Sequence, residues 1–290
     1  MSLLANIETS GPRRSTRLSE KAFNELRAFI SEQTGIHFRD NKRYLLESQV
    51  GRRLKALGLS SFEEYVRLIQ NGRQRSELPH LVNAVTINET FFFRHPKQYE
   101  ALTGELIPTL VERKPRLRRV RIWSAACSTG DEPYTIALMI KEKVQARFPK
   151  VRFEIVGTDI NTDVLDTARN GVYGSYAVRN IKPALLRKYF RPEQDRYHLS
   201  SEVRKMVRFK RLNLTDHRRM RSMRNFDIVL CANVLIYFDE QVKQQVTSNL
   251  YNSLNAGGYL FLGTSETLHG VTRAFQPVRL DKTIVYQKEN

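Results

Sequence analysis

One short stretch, residues 120–140, constrains the fold more than any other part of the chain. A β-branched run at 120–122 predicts a buried strand, and an apolar run at 136–140 predicts a helix. Between them lie small residues, among them Ala126 and Gly130, which let the backbone approach a ligand closely. A strand, a turn of small residues and a helix place a cofactor against a helix N-terminus. We therefore expect an α/β fold with a ligand site after this strand.

The residues of this turn argue against a ligand that carries phosphates. The glycine spacing of the dinucleotide fingerprint is missing here. Two adjacent acids, Asp131 and Glu132, would repel a pyrophosphate and favour a neutral or cationic ligand. An ordinary turn with a helix-capping acid is the other interpretation of the same residues.

The next predicted strand, 152–158, also leads into an acid. Asp159 follows it at the position where such folds hold the ribose diol of a nucleoside. Alternatively, Asp159 caps the helix that begins near Asn161. A nucleoside that lacks phosphates and carries a positive charge indicates S-adenosylmethionine as the cofactor.

The sequence divides into a helical part and a part in which strands alternate with helices. Residues 1–17 lack periodicity and are expected to be disordered. Residues 18–85 predict a small all-helical domain, and residues 86–290 predict a mostly parallel sheet covered by helices on both faces. Alternation over 195–212 predicts a small β insertion. The helices of the first domain are expected at about 19–34, 41–57, 61–71 and 75–85, and the strands of the second at 119–124, 152–158, 205–212, 226–231, 258–263 and 282–287.

The net charge of +18 is the strongest signal in the composition. It predicts an acidic partner, such as nucleic acid, an anionic membrane surface or an acidic protein. The two cysteines, Cys127 and Cys231, suit a reducing cytosol and are interpreted as small buried residues. No run of eighteen apolar residues exists, so no membrane span is expected. The histidines are scattered and no Cys/His cluster has ligand spacing, so no metal is predicted.

Five segments together resemble the chemotaxis receptor methyltransferases of the CheR type. They are residues 42–46 with 52–54, 88–94, 123–135, 157–160 and 233–238. The resemblance implies a small helical N-terminal domain followed by a class I S-adenosylmethionine-dependent methyltransferase domain, which is Rossmann-like and α/β. Members of this family form glutamyl methyl esters on the cytoplasmic helices of chemoreceptors during chemosensory adaptation, and S-adenosylhomocysteine is the other product.

The resemblance also implies where such a protein works and with what. Its partners would be the chemoreceptor helices, with no nucleic acid and no insertion into the membrane. It would be a monomer in the cytoplasm that is recruited to membrane receptor arrays.

Methyl transfer to a carboxylate needs few chemical groups. A glutamate, with a pKa of about 4.3, is already ionised at neutral pH, so no general base is required. Catalysis is expected to rest on proximity and orientation. Because an arginine fork or a hydroxyl orients a carboxylate, Arg94 and Tyr237 are the candidate catalytic residues. A structural ion pair for Arg94 and a core position for Tyr237 are the alternatives.

The resemblance also assigns cofactor contacts to this chain. Asp159 would hold the ribose, Asn213 with Leu214 would contact the adenine, and Asn233 would help to close the site. Ala232 stands where the family usually has an arginine, which puts cofactor affinity or turnover in doubt. The implied cofactor-binding residues are Asn88, Thr90, Arg94, Ala126, Gly130, Asp131, Glu132, Asp159, Asn213, Leu214, Ala232 and Asn233.

A basic stretch in the second predicted helix is the candidate surface for docking acidic receptor helices. Its cations are Lys42, Arg43, Arg52, Arg53 and Lys55. Two other functions stay open: a nucleic-acid methyltransferase, which the charge supports, and a cofactor-binding relative without turnover, which Ala232 supports. Against the former, residues 233–237 are not the Asn/Asp-Pro-Pro-aromatic loop used by methyltransferases that act on base amino groups.

Overall fold

The computed structural model describes residues 17–71, 76–113, 119–281 and 283–289. These residues form two units. The first comprises the described residues up to Phe29 together with Phe38–Val85, and the second comprises Ile30–His37 and the described residues from Thr86 onward. The disorder expected for residues 1–17 concerns residues that, except for Arg17, lie outside this description.

Helices form the first unit because apolar side chains recur at helical spacing. In the second helix, Leu46, Val50 and Leu54 are buried on one face. In the third, Ser61 is the N-cap and accepts a hydrogen bond from the N–H of Glu64. The helices in chain order are α1 (Glu20–Thr34), α2 (Arg43–Leu57), α3 (Phe62–Gln70) and α4 (Glu77–Val85), with a 3-10 turn at Asp40–Lys42 before α2.

Strands and helices alternate along the second unit. The strands are β1 (Arg119–Ala125), β2 (Arg152–Asp159), β3 (Val172–Gly174), β4 (Phe190–Glu193), β5 (Arg196–Leu199), β6 (Val207–Arg211), β7 (Phe226–Cys231), β8 (Leu254–Leu262), β9 (Phe275–Leu280) and β10 (Thr283–Lys288). The helices are α5 (Pro96–Ala101), α6 (Ile107–Arg113), α7 (Asp131–Met139), α8 (Thr162–Asn170), α9 (Ser175–Val178), α10 (Pro183–Tyr189), α11 (Ser201–Arg204), α12 (His217–Met220) and α13 (Glu240–Ser253). Shorter helical segments lie at Leu102–Leu106, Ile140–Val144 and Leu235–Tyr237.

A seven-stranded sheet in the order β6-β2-β1-β7-β8-β10-β9 is the centre of the second unit. The strands from β6 to β8 are parallel, whereas β10 runs antiparallel to both of its neighbours. This is the mixed α/β sheet expected for a class I methyltransferase domain. Each strand predicted for the sheet overlaps one of these strands.

Both faces of the sheet are buried. Ile122 of β1 packs on one face with Ile136 of α7, and the next residue, Trp123, packs on the other face with Leu250 of α13. Each of these side chains is fully buried, which contributes about 1.5–3 kcal/mol per large apolar side chain. Burial on both faces explains why the parallel strands are apolar along their length. No helix of the described residues is long and apolar enough to cross a membrane.

The small β insertion is present, but its predicted bounds, 195–212, are wrong. A three-stranded antiparallel sheet in the order β3-β5-β4 begins at Val172 and ends at Leu199. Strand β6, inside the predicted range, instead pairs with β2 in the large sheet. The alternation of apolar residues did not reveal β3 and β4. Strand β3 has only three residues, and the edge strand β4 contains Pro192, which has no backbone N–H to donate to a neighbouring strand. Strand β9, another edge strand, was missed for the same reason and contains Pro277.

Candidate functional site

The carboxyl ends of β1, β2 and β7 meet where the order of the strands reverses. From β1 the sheet extends to β2 and β6 on one side and to β7 on the other. Ligands of open α/β sheets bind in the crevice at such a switch point. The turn at 126–130 follows β1, Asp159 ends β2, and Asn233 follows β7. The fold therefore brings the sequence-predicted turn, acid and asparagine to one edge of the sheet.

The turn after β1 holds two non-glycine residues in the left-handed region. The φ angles are 57° at Ala126 and 50° at Ser128. This conformation costs roughly 1–2 kcal/mol per residue, so the surrounding structure must stabilise it. The N–H of Cys127 donates to the Thr158 carbonyl at 2.8 Å, and the N–H of Ser128 donates to Asp159 Oδ2 at 2.8 Å. The turn is thus fixed to the end of β2.

Asp159 joins this turn to the segment that follows β2. Its carboxylate is buried and accepts one N–H on each oxygen, from Ser128 and, at 2.9 Å, from Asn161. Burial raises the pKa of Asp159, and the backbone donors oppose that rise. The side chain of Asn161, not Asp159, caps α8, so the capping alternative for Asp159 is wrong. Each Asp159 oxygen keeps a lone pair that a ligand hydroxyl can use.

Two acids begin α7 in surroundings that suit a cation. The buried Asp131 carboxylate accepts the Thr129 hydroxyl on Oδ2 at 2.5 Å, whereas its Oδ1 lacks a partner among the described residues. Burial raises the pKa of Asp131 to about 6. Burial likewise raises the pKa of Glu132, which accepts the Ser124 hydroxyl at 2.7 Å, to about 7. A bound cation would stabilise both ionised forms, so these acids fit a cationic nucleoside and not a phosphate.

The motif at 88–94 is anchored against α7 and the turn. The Ser128 hydroxyl donates to the Asn88 carbonyl at 3.0 Å, and the N–H of Phe93 donates to the Thr135 hydroxyl at 3.1 Å. Phe92 is fully buried and packs edge-on against two other aromatic rings. Phe92 is therefore a packing residue of the core.

Arg94 and Tyr237 are the two candidate catalytic residues, and the charge of the first acts on the hydroxyl of the second. The Arg94 guanidinium donates to the Glu89 carbonyl at 2.6 Å and makes no ion pair with an acid of the described residues. Burial raises the pKa of Tyr237, and the positive charge of Arg94 opposes that rise. The Tyr237 side chain is half-buried, and its hydroxyl makes no hydrogen bond with any described residue. Neither structural alternative, an ion pair for Arg94 or a hydrogen-bonded core tyrosine, describes this arrangement.

Glu266 is a site residue that the sequence analysis missed. Its carboxylate accepts the backbone N–H groups of Asn233 at 2.6 Å, Gly263 at 2.8 Å and Val234 at 2.9 Å, with a longer bond of 3.3 Å from Ile236. We call this arrangement the carboxylate clamp. It holds Asn233 in the left-handed region, at a φ of 61°. No spacing rule could pair Glu266 with a turn 33 residues earlier.

His95, also missed, connects the motif at 88–94 to the clamp. Its Nε2 lies 2.9 Å from Asn233 Oδ1. Burial lowers the pKa of His95, so the neutral ring is favoured. The neighbouring helix is fixed to the same sheet edge, since Gln98 donates to the Leu262 carbonyl at 2.6 Å. Segments before β1, after β7 and after β8 are therefore linked by hydrogen bonds.

The other residues implied as cofactor contacts differ in their burial and in the hydrogen bonds that they already make. The Asn213 amide oxygen accepts twice within its own turn, and its Nδ2 donates to the Gln33 carbonyl, so this side chain is already occupied. Leu214 is buried in the core. Thr90 and Ala232 are partly exposed.

In the first unit, the five cations of the proposed docking surface differ in their exposure and in whether a hydrogen bond or an ion pair already occupies them. Arg43 donates to a backbone carbonyl. Arg53 donates twice to the buried Glu77, at 2.9 Å each, and Tyr65 donates to the same carboxylate at 2.8 Å. The cations that are exposed and make no ion pair within the described residues are Lys42, Arg52 and Lys55.

The cysteines and the metal-ligating residue types contribute no further centre. Cys127 and Cys231 are buried free thiols, as predicted, and burial raises the pKa of each. Within the described ranges, no group of three or more His, Cys, Asp or Glu side chains could hold a metal ion.

Both parts of the chain match models of one protein family. Residues 21–86 match the family model described as CheR methyltransferase, all-alpha domain, and residues 88–284 match CheR methyltransferase, SAM binding domain. The chain is 34% identical to chemotaxis protein methyltransferase 2 of Vibrio cholerae over 93% of this chain and 94% of that protein. It is 36% identical to chemotaxis protein methyltransferase Cher2 of Pseudomonas putida over 91% of this chain and 97% of that protein.

A third relative, the chemotaxis protein methyltransferase of Borreliella burgdorferi, is 34% identical over 87% of this chain and 90% of that protein. The two family matches together span most of the described residues, and they follow the order predicted from the sequence, helical domain first. The buried acids and the strained turn after β1 lie within the part that matches the S-adenosylmethionine-binding domain. The chain therefore belongs to the CheR methyltransferase family, and its cofactor is S-adenosylmethionine.

Proposed function

We propose that this protein methylates glutamate side chains on the cytoplasmic helices of chemoreceptors. The observation that carries the proposal is that Arg94 and Tyr237, two half-buried donors, are near enough for the charge of Arg94 to act on the Tyr237 hydroxyl, at the edge of the sheet that holds the acids for a cationic cofactor. The products would be glutamyl methyl esters and S-adenosylhomocysteine. In this proposal the protein works as a monomer in the cytoplasm, at membrane receptor arrays, during chemosensory adaptation.

This reaction requires the protein to orient the acceptor carboxylate, and it does not require a general base. Bound S-adenosylmethionine supplies an electrophilic methyl group on a sulfonium. The acceptor carboxylate is ionised at neutral pH, so no proton has to leave it. Arg94 keeps N–H donors beyond the one given to the Glu89 carbonyl, and these can hold one carboxylate oxygen. The Tyr237 hydroxyl supplies another donor, and together they fix the direction of attack.

The cofactor contacts proposed here follow the geometry. Asp131 and Glu132 would face its cationic groups, and Asp159 would accept from the ribose hydroxyls. Asn233, held by the clamp, would close the site. The Asn213 side chain is occupied, so its contribution to the adenine site would come through its backbone. The remaining residues proposed to line the cofactor are Asn88, Thr90, Ala126, Gly130, Leu214 and Ala232.

Docking of the acceptor helices is proposed for the exposed cations of the first unit. The three that remain available, Lys42, Arg52 and Lys55, carry positive charge that no acid of the described residues neutralises. Acidic receptor helices complement such a surface. Arg53 is withdrawn from this role, because its guanidinium pairs with buried Glu77.

Transfer of labelled methyl groups tests the reaction. The protein is incubated with methyl-labelled S-adenosylmethionine and a chemoreceptor cytoplasmic fragment, and the product is treated with mild alkali. We expect label in the fragment, released as volatile methanol, and loss of transfer in R94A. Label that enters RNA instead would identify a nucleic-acid methyltransferase. Bound cofactor without any transfer would identify a relative without turnover.

Charge reversal tests docking separately. The double variant R52E/K55E should raise the KM for the fragment and leave the affinity for S-adenosylhomocysteine unchanged. R187E, which reverses an exposed arginine of the second unit, is the matched control. An unchanged KM for the fragment in R52E/K55E would contradict docking of the acceptor helices on α2.

A further inference from the structure

Beside the motif at 88–94, rings and guanidinium groups form a stack. The guanidinium carbon of Arg179 lies 3.5 Å from the centre of the Phe91 ring and 3.6 Å from that of Tyr176. The two ring centres are 6.1 Å apart and the ring planes are inclined at 77°, so the guanidinium contacts both rings where they meet edge to face. The guanidinium carbon of Arg94 lies 5.8 Å from the same Phe91 ring. One ring therefore carries two cations, one of which is the candidate catalytic arginine.

Several contacts fix the position of Arg179. Its guanidinium also donates to the Tyr176 carbonyl. The Tyr176 hydroxyl in turn donates to the Glu89 carboxylate at 3.0 Å, and the N–H of Phe92 donates to the Ala177 carbonyl at 3.0 Å. Helix α9, which ends immediately before Arg179, is thus tied to the motif. A side chain held in this way loses little conformational entropy when it binds a ligand.

Arg179 is fixed but not neutralised. The residue is exposed and makes no ion pair with an acid of the described residues. A guanidinium has five N–H donors, and one of them is used here. These properties suit a carboxylate that arrives from outside the protein.

We propose that Arg179 binds a second carboxylate of the acceptor segment, next to the glutamate that Arg94 orients. The inference rests on the proposed function and narrows its substrate class to acceptors with clustered acidic side chains. Acids three or four residues apart on a helix have Cβ atoms about 5–6 Å from each other, a spacing that two guanidinium groups on one ring can serve. Nucleic acid fits less well, because Arg179 already covers the Phe91 and Tyr176 ring faces on which bases would stack.

Steady-state methylation of the chemoreceptor fragment tests this inference. R179A should raise the KM for the fragment roughly tenfold, since it loses a charge-assisted bond at an exposed position, and should leave S-adenosylhomocysteine affinity unchanged. Y176L, which keeps the charge but removes one ring of the stack, should raise KM less. R187A removes an exposed arginine outside the stack and should leave KM unchanged.

A double-mutant cycle sharpens the test. In the acceptor, the acid one helical turn from the methylated glutamate is changed to glutamine. If Arg179 binds that acid, R179A has no further effect on the KM of the changed acceptor. Equal KM values for the parent and R179A on the unchanged fragment would overturn the inference about Arg179 and leave the proposed function intact. Weakened S-adenosylhomocysteine binding in R179A would also overturn it, and a parent that methylates no fragment would overturn the proposed function together with it.

Discussion

The carboxylate clamp makes a quantitative prediction. The two oxygens of Glu266 each accept two backbone N–H groups, Oε2 from Asn233 and Gly263 and Oε1 from Val234 and Ile236. In E266Q, one of these oxygens becomes an NH₂ group that faces two N–H donors. Those donors lose their acceptor in a partly buried place, at about 1–3 kcal/mol each. We expect the free energy of unfolding to fall by about 2–6 kcal/mol.

Two measurements check this reasoning. Thermal unfolding should show a decrease in Tm of about 4–24 °C, given a shift of about 2–4 °C per kcal/mol for a domain of this size. Calorimetric titration with S-adenosylhomocysteine should show weaker binding, since Asn233 would no longer be held in the left-handed region. A structural carboxylate at the opposite end of the sheet provides the matched control: Asp227, which accepts from Arg121 and Asn255. D227N should lower stability and leave the affinity unchanged.

A specific result would refute this role of Glu266. If E266Q unfolds within about 1 kcal/mol of the parent and binds S-adenosylhomocysteine equally well, the four hydrogen bonds to Glu266 do not position the turn after β7. If E266Q loses only stability, as D227N does, Glu266 has a structural role alone.

Three further predictions follow from the site and the first unit. Burial raises the pKa of Glu132 to about 7 from an ordinary 4.5, so the folded protein holds this proton more tightly and stability falls as pH rises from about 4.5 to 7. E132Q should remove up to about 3 kcal/mol of that decline, as measured by urea unfolding at several pH values. G263A should abolish S-adenosylhomocysteine binding in a calorimetric titration, because a Cβ there would lie 2.7 Å from the clamp carboxylate. R53A should lower the free energy of unfolding by about 3–5 kcal/mol, since it leaves the Glu77 carboxylate buried and unpaired, whereas R52A should change it by less than about 0.5 kcal/mol.

Local patterns were sufficient to predict the sheet and the turn after β1. Parallel strands buried on both faces are apolar throughout, which made β1, β2 and β7 visible in the sequence. Edge strands β4 and β9 were missed because each contains a proline and lies against solvent, so neither shows regular alternation. The β insertion was consequently placed too late in the chain.

The site was predictable where function follows a strand end and not where it depends on distant partners. Asp131, Glu132 and Asp159 lie beside the strands that revealed them. Glu266 and His95 act on the same edge through hydrogen bonds between segments far apart in the sequence, which no spacing rule records. The sequence also could not show which cations of α2 are unpaired, because only the fold shows that Arg53 is paired with a buried acid.

The two edges of the large sheet carry features that disfavour edge-to-edge pairing with another copy. An exposed edge strand offers unpaired N–H and C=O groups to another copy and so invites aggregation. At one edge, β6 exposes Arg208 and Lys210; at the other, β9 exposes Pro277 and Arg279. Like charges repel across such edges, and the proline offers no N–H donor. Part of the large positive charge thus lies where it disfavours pairing between the sheet edges of two copies.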